Sequence, residues 1–153
     1  MRISILKLGR NDLQKWVKFR CDIWPEDNIE ESMAEFKNTI LNKKSRVIFI
    51  ALGDNGLITG FIEVSIRCKV GFWRNYAGYI ENLHVKKEFR RKGIAKILFK
   101  FAEKWMVSKR CSMALSDTSV ENHKSQKVHK MLGFKEEERL ILFSKEVHCN
   151  ALR

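Results

Sequence analysis

Val85-Lys86-Lys87-Glu88-Phe89-Arg90-Arg91-Lys92-Gly93-Ile94-Ala95 decides the fold of this chain. The stretch begins at the end of Gly78–Val85, an apolar run typical of a strand, and leads into residues 92–109, which have helical spacing. The first N–H groups of a helix lack intrahelical partners, and the helix dipole is positive there. A basic loop with one glycine at that position predicts an anion cradle, with a diphosphate as the obvious guest. A solvated basic turn or a nucleic-acid patch is the alternative.

The flanking sequence predicts a mixed α/β fold in the order β-α-α-β-β-β-α-β-α-β. Gly53–Gly56 is a strong hairpin turn signal, and Arg139–Phe143 is the last predicted strand. We expect Trp16 and Trp105 to lie in the core, because each belongs to a helical apolar stripe. The stripe of the long helix consists of Ile94, Ile97, Leu98, Phe101 and Trp105. No linker or repeat interrupts the chain, so we expect a single domain over residues 1–153.

Composition excludes several classes of protein. At 153 residues with 44% hydrophobic and 31% charged residues, the chain is too apolar for a disordered protein and long enough for a real core. The formal net charge of +12 indicates a polyanionic partner, such as nucleic acid, an anionic membrane or a phosphorylated cofactor. At first sight it argues against a cationic substrate.

Cysteine usage and hydropathy favour the cytoplasm. The cysteines show no CxxC spacing, the first residues show no signal peptide, and the apolar stretches fall short of the ~20 residues of a membrane span. We therefore expect free thiols, no membrane association and, since the histidines form no ligand pattern, no metal site. The cysteines are Cys21, Cys68, Cys111 and Cys149.

The pattern Arg90-x-x-Gly93-x-Ala95 after an apolar strand resembles the acetyl-CoA-binding motif of the GCN5-related N-acetyltransferases. A second match follows in Asn122-x-x-Ser125 and in Leu132-Gly133-Phe134, which closes the next predicted helix. The resemblance covers nearly the whole chain. It implies the fold of that superfamily, a central mixed sheet flanked by about four helices.

Further short matches resemble the bacterial aminoglycoside 6'-N-acetyltransferases. This resemblance implies direct transfer of acetyl from acetyl-CoA to the drug's 6'-amine in a ternary complex, antibiotic resistance, and a homodimer. The alternatives are an enzyme of the same fold that acts on a polyamine or protein amine and, more distantly, a basic nucleic-acid or membrane-surface module. The matching segments are Arg20-Cys21-x-x-Trp24-Pro25, Glu63-x-Ser65-Ile66-Arg67, Tyr79-Ile80-Glu81, Ser116-Asp117 and Glu138-Arg139.

The resemblance also implies a cofactor site. The backbone of Leu83, His84 and Val85 would pair with the pantetheine arm as an added strand, and Asn122 would bind near the thioester. The remaining cofactor positions lie in the basic loop and first helical turn, where they would hold the pyrophosphate. They are Arg90, Arg91, Lys92, Gly93, Ile94, Ala95 and Lys96.

The aminoglycoside positions carry several carboxylates, as a polycationic drug requires. Asp27 stands where relatives often have a His, and Cys68 stands where close relatives have a Tyr. The implied substrate-binding residues are Trp24, Asp27, Cys68, Glu81, Asp117 and Glu138.

Three residues are candidates for the chemistry. We expect Glu81 and Asp117 to orient the amine and one of them to relay its proton. Alternatively, Glu81 faces water from an edge strand, and Asp117 serves as an N-cap. His129 occupies the position of a Tyr that protonates the leaving thiolate in many relatives, and a His can donate a proton at neutral pH. A surface histidine is the alternative.

Overall fold

The computed structural model describes residues 2–39, 44–68 and 76–146. The chain divides into two compact units, the first ending at Asp117 and the second beginning at Thr118. In the second unit the described helix is α4, His123–Met131.

The first unit combines a sheet with three α-helices. Its strands are β1 (Ser4–Lys7), β2 (Arg46–Leu52), β3 (Ile58–Cys68), β4 (Tyr76–Val85) and β5 (Met113–Leu115). Its helices are α1 (Leu13–Ile23), α2 (Ile29–Thr39) and α3 (Ile94–Ser108), with 3-10 turns at Arg10–Asp12 and Lys87–Phe89.

The strands follow one another across the sheet in chain order. The first four are antiparallel neighbours, and β5 runs parallel to β4. The predicted hairpin is confirmed: the Gly53 N–H donates to the Leu57 carbonyl at 3.0 Å, and Gly56 has a φ of +72°. That left-handed conformation is the reason for a glycine there.

The core on one face of the sheet is centred on Trp16, which is fully buried. Its ring meets Phe36 of α2 edge-on at 4.5 Å and Phe61 of β3 at 5.7 Å between centroids. These perpendicular aromatic contacts fasten α1 and α2 to the sheet. They confirm the predicted core position of Trp16.

Helix α3 packs on the sheet through a stripe that differs from the predicted one. Ile94 and Leu98 are buried, but Ile97 and Phe101 are partly exposed and Trp105 is only half-buried. The face of α3 that contacts the sheet is therefore rotated about the helix axis relative to the predicted face. On the outer side, lysine side chains lie over the rings of Phe101 and Trp105. The buried set is Ile94, Leu98, Phe99, Ala102 and Met106.

The predicted strand at Arg139–Phe143 was wrong. These residues adopt no strand, and Leu140, Ile141, Leu142 and Phe143 are 78–94% exposed. A strand forms only against a hydrogen-bonding partner, and no described residue pairs with this segment.

Within the described residues, no helix is long and apolar enough to cross a membrane. Cys21 and Cys111 are free, and burial raises the pKa of the Cys111 thiol. Cys149 and the side chain of Cys68 lie outside the described residues.

Candidate active site

The predicted anion cradle falls in the loop between β4 and α3. The Nε of Arg90 donates to the Val85 carbonyl at 2.9 Å and ties the loop to the strand end. Arg91 (φ 60°) and Gly93 (φ 78°) both have left-handed backbones immediately before α3 begins at Ile94. The chain therefore reverses sharply so that the helix starts beside the strand.

Gly93 leaves open space over the start of α3. A Cβ added there would meet no atom within 4 Å. Arg91, Lys92 and Lys96, close to Gly93 in sequence, are exposed cationic residues. Free helix N–H groups, positive charge and room beside the backbone are what a pyrophosphate requires.

The end of β4 offers a second surface to such a ligand. β5 pairs with β4 only along Ala77–Tyr79, whereas β3 continues along β4 as far as Val85. Within the described part of the first unit, no strand flanks Leu83–Val85 on the side of β5. An extended ligand could add to this edge as a strand does.

Glu81 lies at a β-bulge. Glu63 pairs with Asn82, and Val64 pairs with Ile80, so Glu81 is the extra residue of β4. A bulge re-aims the side chain that it carries, and bulges are common beside active sites. Glu81 therefore lies at a backbone irregularity that the sequence did not predict.

The Glu81 carboxylate is held by two side chains of β3. Nη2 of Arg67 lies 3.1 and 2.9 Å from its two oxygens, and the Ser65 hydroxyl also donates to it. The Glu81 side chain is only 24% exposed. This removes the alternative of a carboxylate that simply faces water.

Asp117 joins the same network through Tyr79. The Tyr79 hydroxyl donates to the Asp117 carboxylate, and the Arg67 guanidinium carbon lies 3.4 Å from the centroid of the Tyr79 ring. Burial, together with that hydrogen bond to Asp117, raises the pKa of Tyr79 to about 12, so the phenol stays protonated. The structure thus brings together Glu81 and Asp117 through Arg67 and Tyr79.

The turn after α1 holds two of the predicted substrate residues. The Trp24 ring lies 6.3 Å from Phe61 and 6.4 Å from His84 between centroids. Asp27 accepts from the Nε of Arg20 at 3.3 Å. Burial and the charge of Arg90 lower the pKa of His84, which favours an uncharged imidazole beside the indole.

A cavity of about 230 Å³ opens beside this turn. Its wall is rich in carboxylates, which attract ammonium groups. The lining includes Arg20, Glu26, Asp27, Glu31 and Phe36.

The second unit carries Asn122, His129 and Glu138. The Asn122 side-chain oxygen caps α4 by accepting from the Ser125 N–H at 3.0 Å, which leaves its amide nitrogen as the donor for a ligand. Nδ1 of His129 lies 2.8 Å from the Ser125 carbonyl, and because a carbonyl only accepts, Nδ1 carries the proton. Glu138 is exposed in a segment without helix or strand.

Sequence reasoning assigned no role to Glu63, Ser65, Arg67 or Tyr79. The signal was present: polar residues at every second position of β3 mark one polar face on an otherwise buried strand. Glu63 and Ser65 are buried. Burial raises the pKa of Glu63, and the Glu81 charge adds to this, while Asn82 and Arg20 act in the opposite direction.

Within the described residues, no group of three His, Cys, Asp or Glu side chains is placed to hold a metal ion.

Comparisons with known proteins identify the family of the chain. The family profile described as Acetyltransferase (GNAT) family matches residues 13–134. The chain is 35% identical to an aminoglycoside N(6')-acetyltransferase type 1 of Salmonella typhimurium (strain LT2), over 94% of this chain and 99% of that protein.

Solved structures give the same result. One is AAC(6')-Iy in complex with the bisubstrate analog CoA-S-monomethyl-acetylneamine, with a TM-score of 0.89, 33% identity, and coverage of 96% of this chain and 100% of that one. The same enzyme in complex with CoA has a TM-score of 0.88 and 33% identity over 95% of this chain and 96% of that one. The chain belongs to the GNAT family of acetyltransferases, which confirms the predicted family and fold class.

Proposed function

We propose that this acetyltransferase transfers the acetyl group of acetyl-CoA to the 6'-amine of aminoglycoside antibiotics and so confers resistance. One observation carries the proposal. In a single strand–loop–helix unit, the bulged Glu81 precedes the open edge Leu83–Val85 and Gly93 follows it at the start of α3, which supports an acceptor side and a cosubstrate side of one site. Relatives of this chain that bear the name aminoglycoside N(6')-acetyltransferase match it over nearly its full length.

The cradle fits the cosubstrate. The first N–H groups of α3 would bind its pyrophosphate, and Leu83–Val85 would pair with its pantetheine arm. The amide nitrogen of Asn122 would donate near the thioester. The positive charge of Arg91, Lys92 and Lys96 would complement the phosphates.

The acidic residues suit an acceptor that carries several ammonium groups, as an aminoglycoside does. Trp24 offers an aromatic face, and Asp27 lies at the carboxylate-lined cavity. Asp117 is exposed. Its carboxylate could therefore accept hydrogen bonds from the ammonium and hydroxyl groups of a cationic sugar. Glu138 would add a further carboxylate, and Cys68, the last residue of β3, is the remaining proposed substrate contact.

Acetyl-CoA, when bound, supplies a thioester carbonyl that a neutral amine can attack. The amine arrives mostly protonated at neutral pH. Glu81 and Asp117 would hold it by hydrogen bonds, and one of them would accept its proton, directly or through water. The backbone N–H of Leu83 or a neighbour would polarise the carbonyl. His129 would return a proton to the leaving thiolate from Nε2, which requires the doubly protonated imidazolium because Nδ1 is committed to Ser125.

We further propose a homodimer of single acetyltransferase domains that acts in the cytoplasm. The apolar run Leu140–Phe143 is exposed in one chain, and a second copy could cover it as a paired strand. The family match spans both compact units, which favours one functional domain over residues 1–153. The free thiols of Cys21 and Cys111 suit a reducing compartment.

The test is release of CoA from acetyl-CoA with kanamycin or tobramycin as acceptor. Turnover with 6'-amino drugs, and none with analogues that have a 6'-hydroxyl, is expected. A much higher kcat/KM for a polyamine would assign the site to the alternative acceptor. Absence of turnover across a panel of 6'-amino drugs would overturn the proposal.

A further inference from the structure

Arg20, the last-turn cation of α1, lies at the junction of three elements. Its guanidinium carbon lies 5.0 Å from the ring centroids of both Trp24 and Phe36. Its Nε contacts Asp27 at 3.3 Å, and its Nη1 contacts Glu63 of β3 at 3.4 Å. Two rings and two carboxylates therefore fix one guanidinium, whose side chain is only 20% exposed.

Glu63 extends these contacts to the bulge. Its second oxygen accepts from Nδ2 of Asn82 at 2.7 Å. Asn82 is the cross-strand partner of Glu63 and directly follows the bulged Glu81. A continuous series of polar contacts thus runs from Asp27 at the cavity, through Arg20 and Glu63, to the backbone that aims Glu81.

We propose that Arg20 and Glu63 are positioning residues that hold the Trp24–Asn28 turn and the Glu81 bulge in one fixed geometry, and thereby set the enzyme's affinity for its acceptor. The inference rests on the proposed function for the identity of that acceptor. Arg20 also forms part of the cavity wall beside Asp27, whereas Glu63 is not among the lining residues. Each acts through groups that would touch the acceptor, namely Trp24, Asp27 and Glu81.

A buried ion pair does little for net stability, since desolvation of both charges offsets their attraction. Its larger effect is directional: removal of one partner leaves an uncompensated charge that must move or be neutralised. Burial and the neighbouring Glu81 charge already raise the pKa of Glu63, so this carboxylate depends on Arg20 and Asn82. Loss of Arg20 should therefore disturb the distant bulge as well as the adjacent turn.

The kinetic test compares Arg20→Gln, Glu63→Gln and the double variant. Each single substitution should raise the KM for the aminoglycoside about tenfold and leave the KM for acetyl-CoA within about twofold. The double variant should be no worse than the poorer single variant, because both remove the same interaction. Thr59→Val is the matched control, since it deletes a buried hydrogen bond to the Ala51 carbonyl in the same strand without touching the network.

A second measurement does not depend on turnover. Amide hydrogen exchange in Arg20→Gln should accelerate at Glu81–Asn82 as well as at the Trp24–Asn28 turn, and in Glu63→Gln it should accelerate at both places too. In Thr59→Val both places should exchange as in the wild type. This arm tests the network even if the wild type acetylates no aminoglycoside, in which case only the proposed function fails.

Three results would overturn the inference. One is a parallel loss for both substrates that follows the loss of thermal stability, as a purely structural role would give. Another is additive effects in the double variant. The third is faster exchange confined to the element that carries the substitution.

Discussion

Nη2 of Arg67 donates to both carboxylate oxygens of Glu81, at 2.9 and 3.1 Å. The same guanidinium lies against the ring of Tyr79, which in turn donates to Asp117. The two carboxylates that would receive the acceptor amine are thus linked through Arg67 and Tyr79. Arg67 offsets the charge of Glu81, while Asp117 is held by the neutral phenol of Tyr79.

Glu81→Gln should lower kcat for the aminoglycoside about 100-fold, because the amide keeps the shape but cannot accept the amine's proton. The KM for acetyl-CoA should stay within about twofold, since the cradle lies at the other end of the edge. Steady-state kinetics with each substrate varied in turn would measure both. An equal loss of acetyl-CoA affinity would mean that Glu81 does not belong to the acceptor side.

Asp117→Asn should also reduce acceptor turnover. Comparison with Tyr79→Phe separates the proposed contact of Asp117 with the amine from its hydrogen bond with Tyr79. Tyr79→Phe removes the hydrogen bond to Asp117 but keeps the carboxylate charge, so its kcat/KM should fall by less than that of Asp117→Asn, whose loss should be at least about tenfold. The rate ratio between the two variants is the measurement. Equal losses would assign Asp117 to the support of Tyr79 and remove it from contact with the amine.

The strand–loop–helix unit of the proposed cradle was accessible to sequence reasoning because it is local. The loop charge, the glycine and the start of α3 all lie within residues 85–95, where neighbours along the chain are neighbours in space. The partners of Glu81 are different. Ser65 and Arg67 lie on another strand, and their contact depends on a register that a single bulge decides. The strand prediction for Arg139–Phe143 failed for a related reason. The segment's own sequence suits a strand, but pairing is a property of two segments and not of one.

Gly93→Glu should raise the KM for acetyl-CoA at least about tenfold, because a carboxylate would then face the pyrophosphate in the space that is now open. Gly56→Glu is the control: its φ of +72° imposes the same backbone strain, but it lies in the β2–β3 turn. Steady-state kinetics with acetyl-CoA varied would compare the KM of the two variants, and isothermal titration with CoA would compare their Kd. Equal weakening by both variants would show that strain alone is responsible and would remove Gly93 from the site.

Glu63 should give the folded protein a pH-dependent stability. Its native pKa is raised above the ordinary value of 4.5, so between the two values the folded state binds more protons than the unfolded state. Its contribution to stability therefore falls as the pH rises through that window. Glu63→Gln lacks this loss, so the Tm of the variant minus the Tm of the wild type should increase as the pH rises from 4.5.

Thermal unfolding followed by circular dichroism over this range measures the difference. Thr59→Val carries no titrating group, so its Tm difference from the wild type should stay flat with pH. A decreasing difference for Glu63→Gln would mean that the attraction of Arg20 outweighs burial at this carboxylate.

The exposed run Leu140–Phe143 predicts the assembly. These four apolar side chains, 78–94% exposed in one chain, need a cover, and strand pairing with a second copy would bury them and satisfy their backbone groups. Leu142→Lys should convert a dimer of the wild type into a monomer in sedimentation equilibrium at micromolar concentration. Val107→Lys adds the same charge at an apolar residue of α3 that is 67% exposed, and it should leave the dimer intact. A monomeric wild type, or equal dissociation in both variants, would contradict the paired-strand dimer and leave these side chains to a different partner.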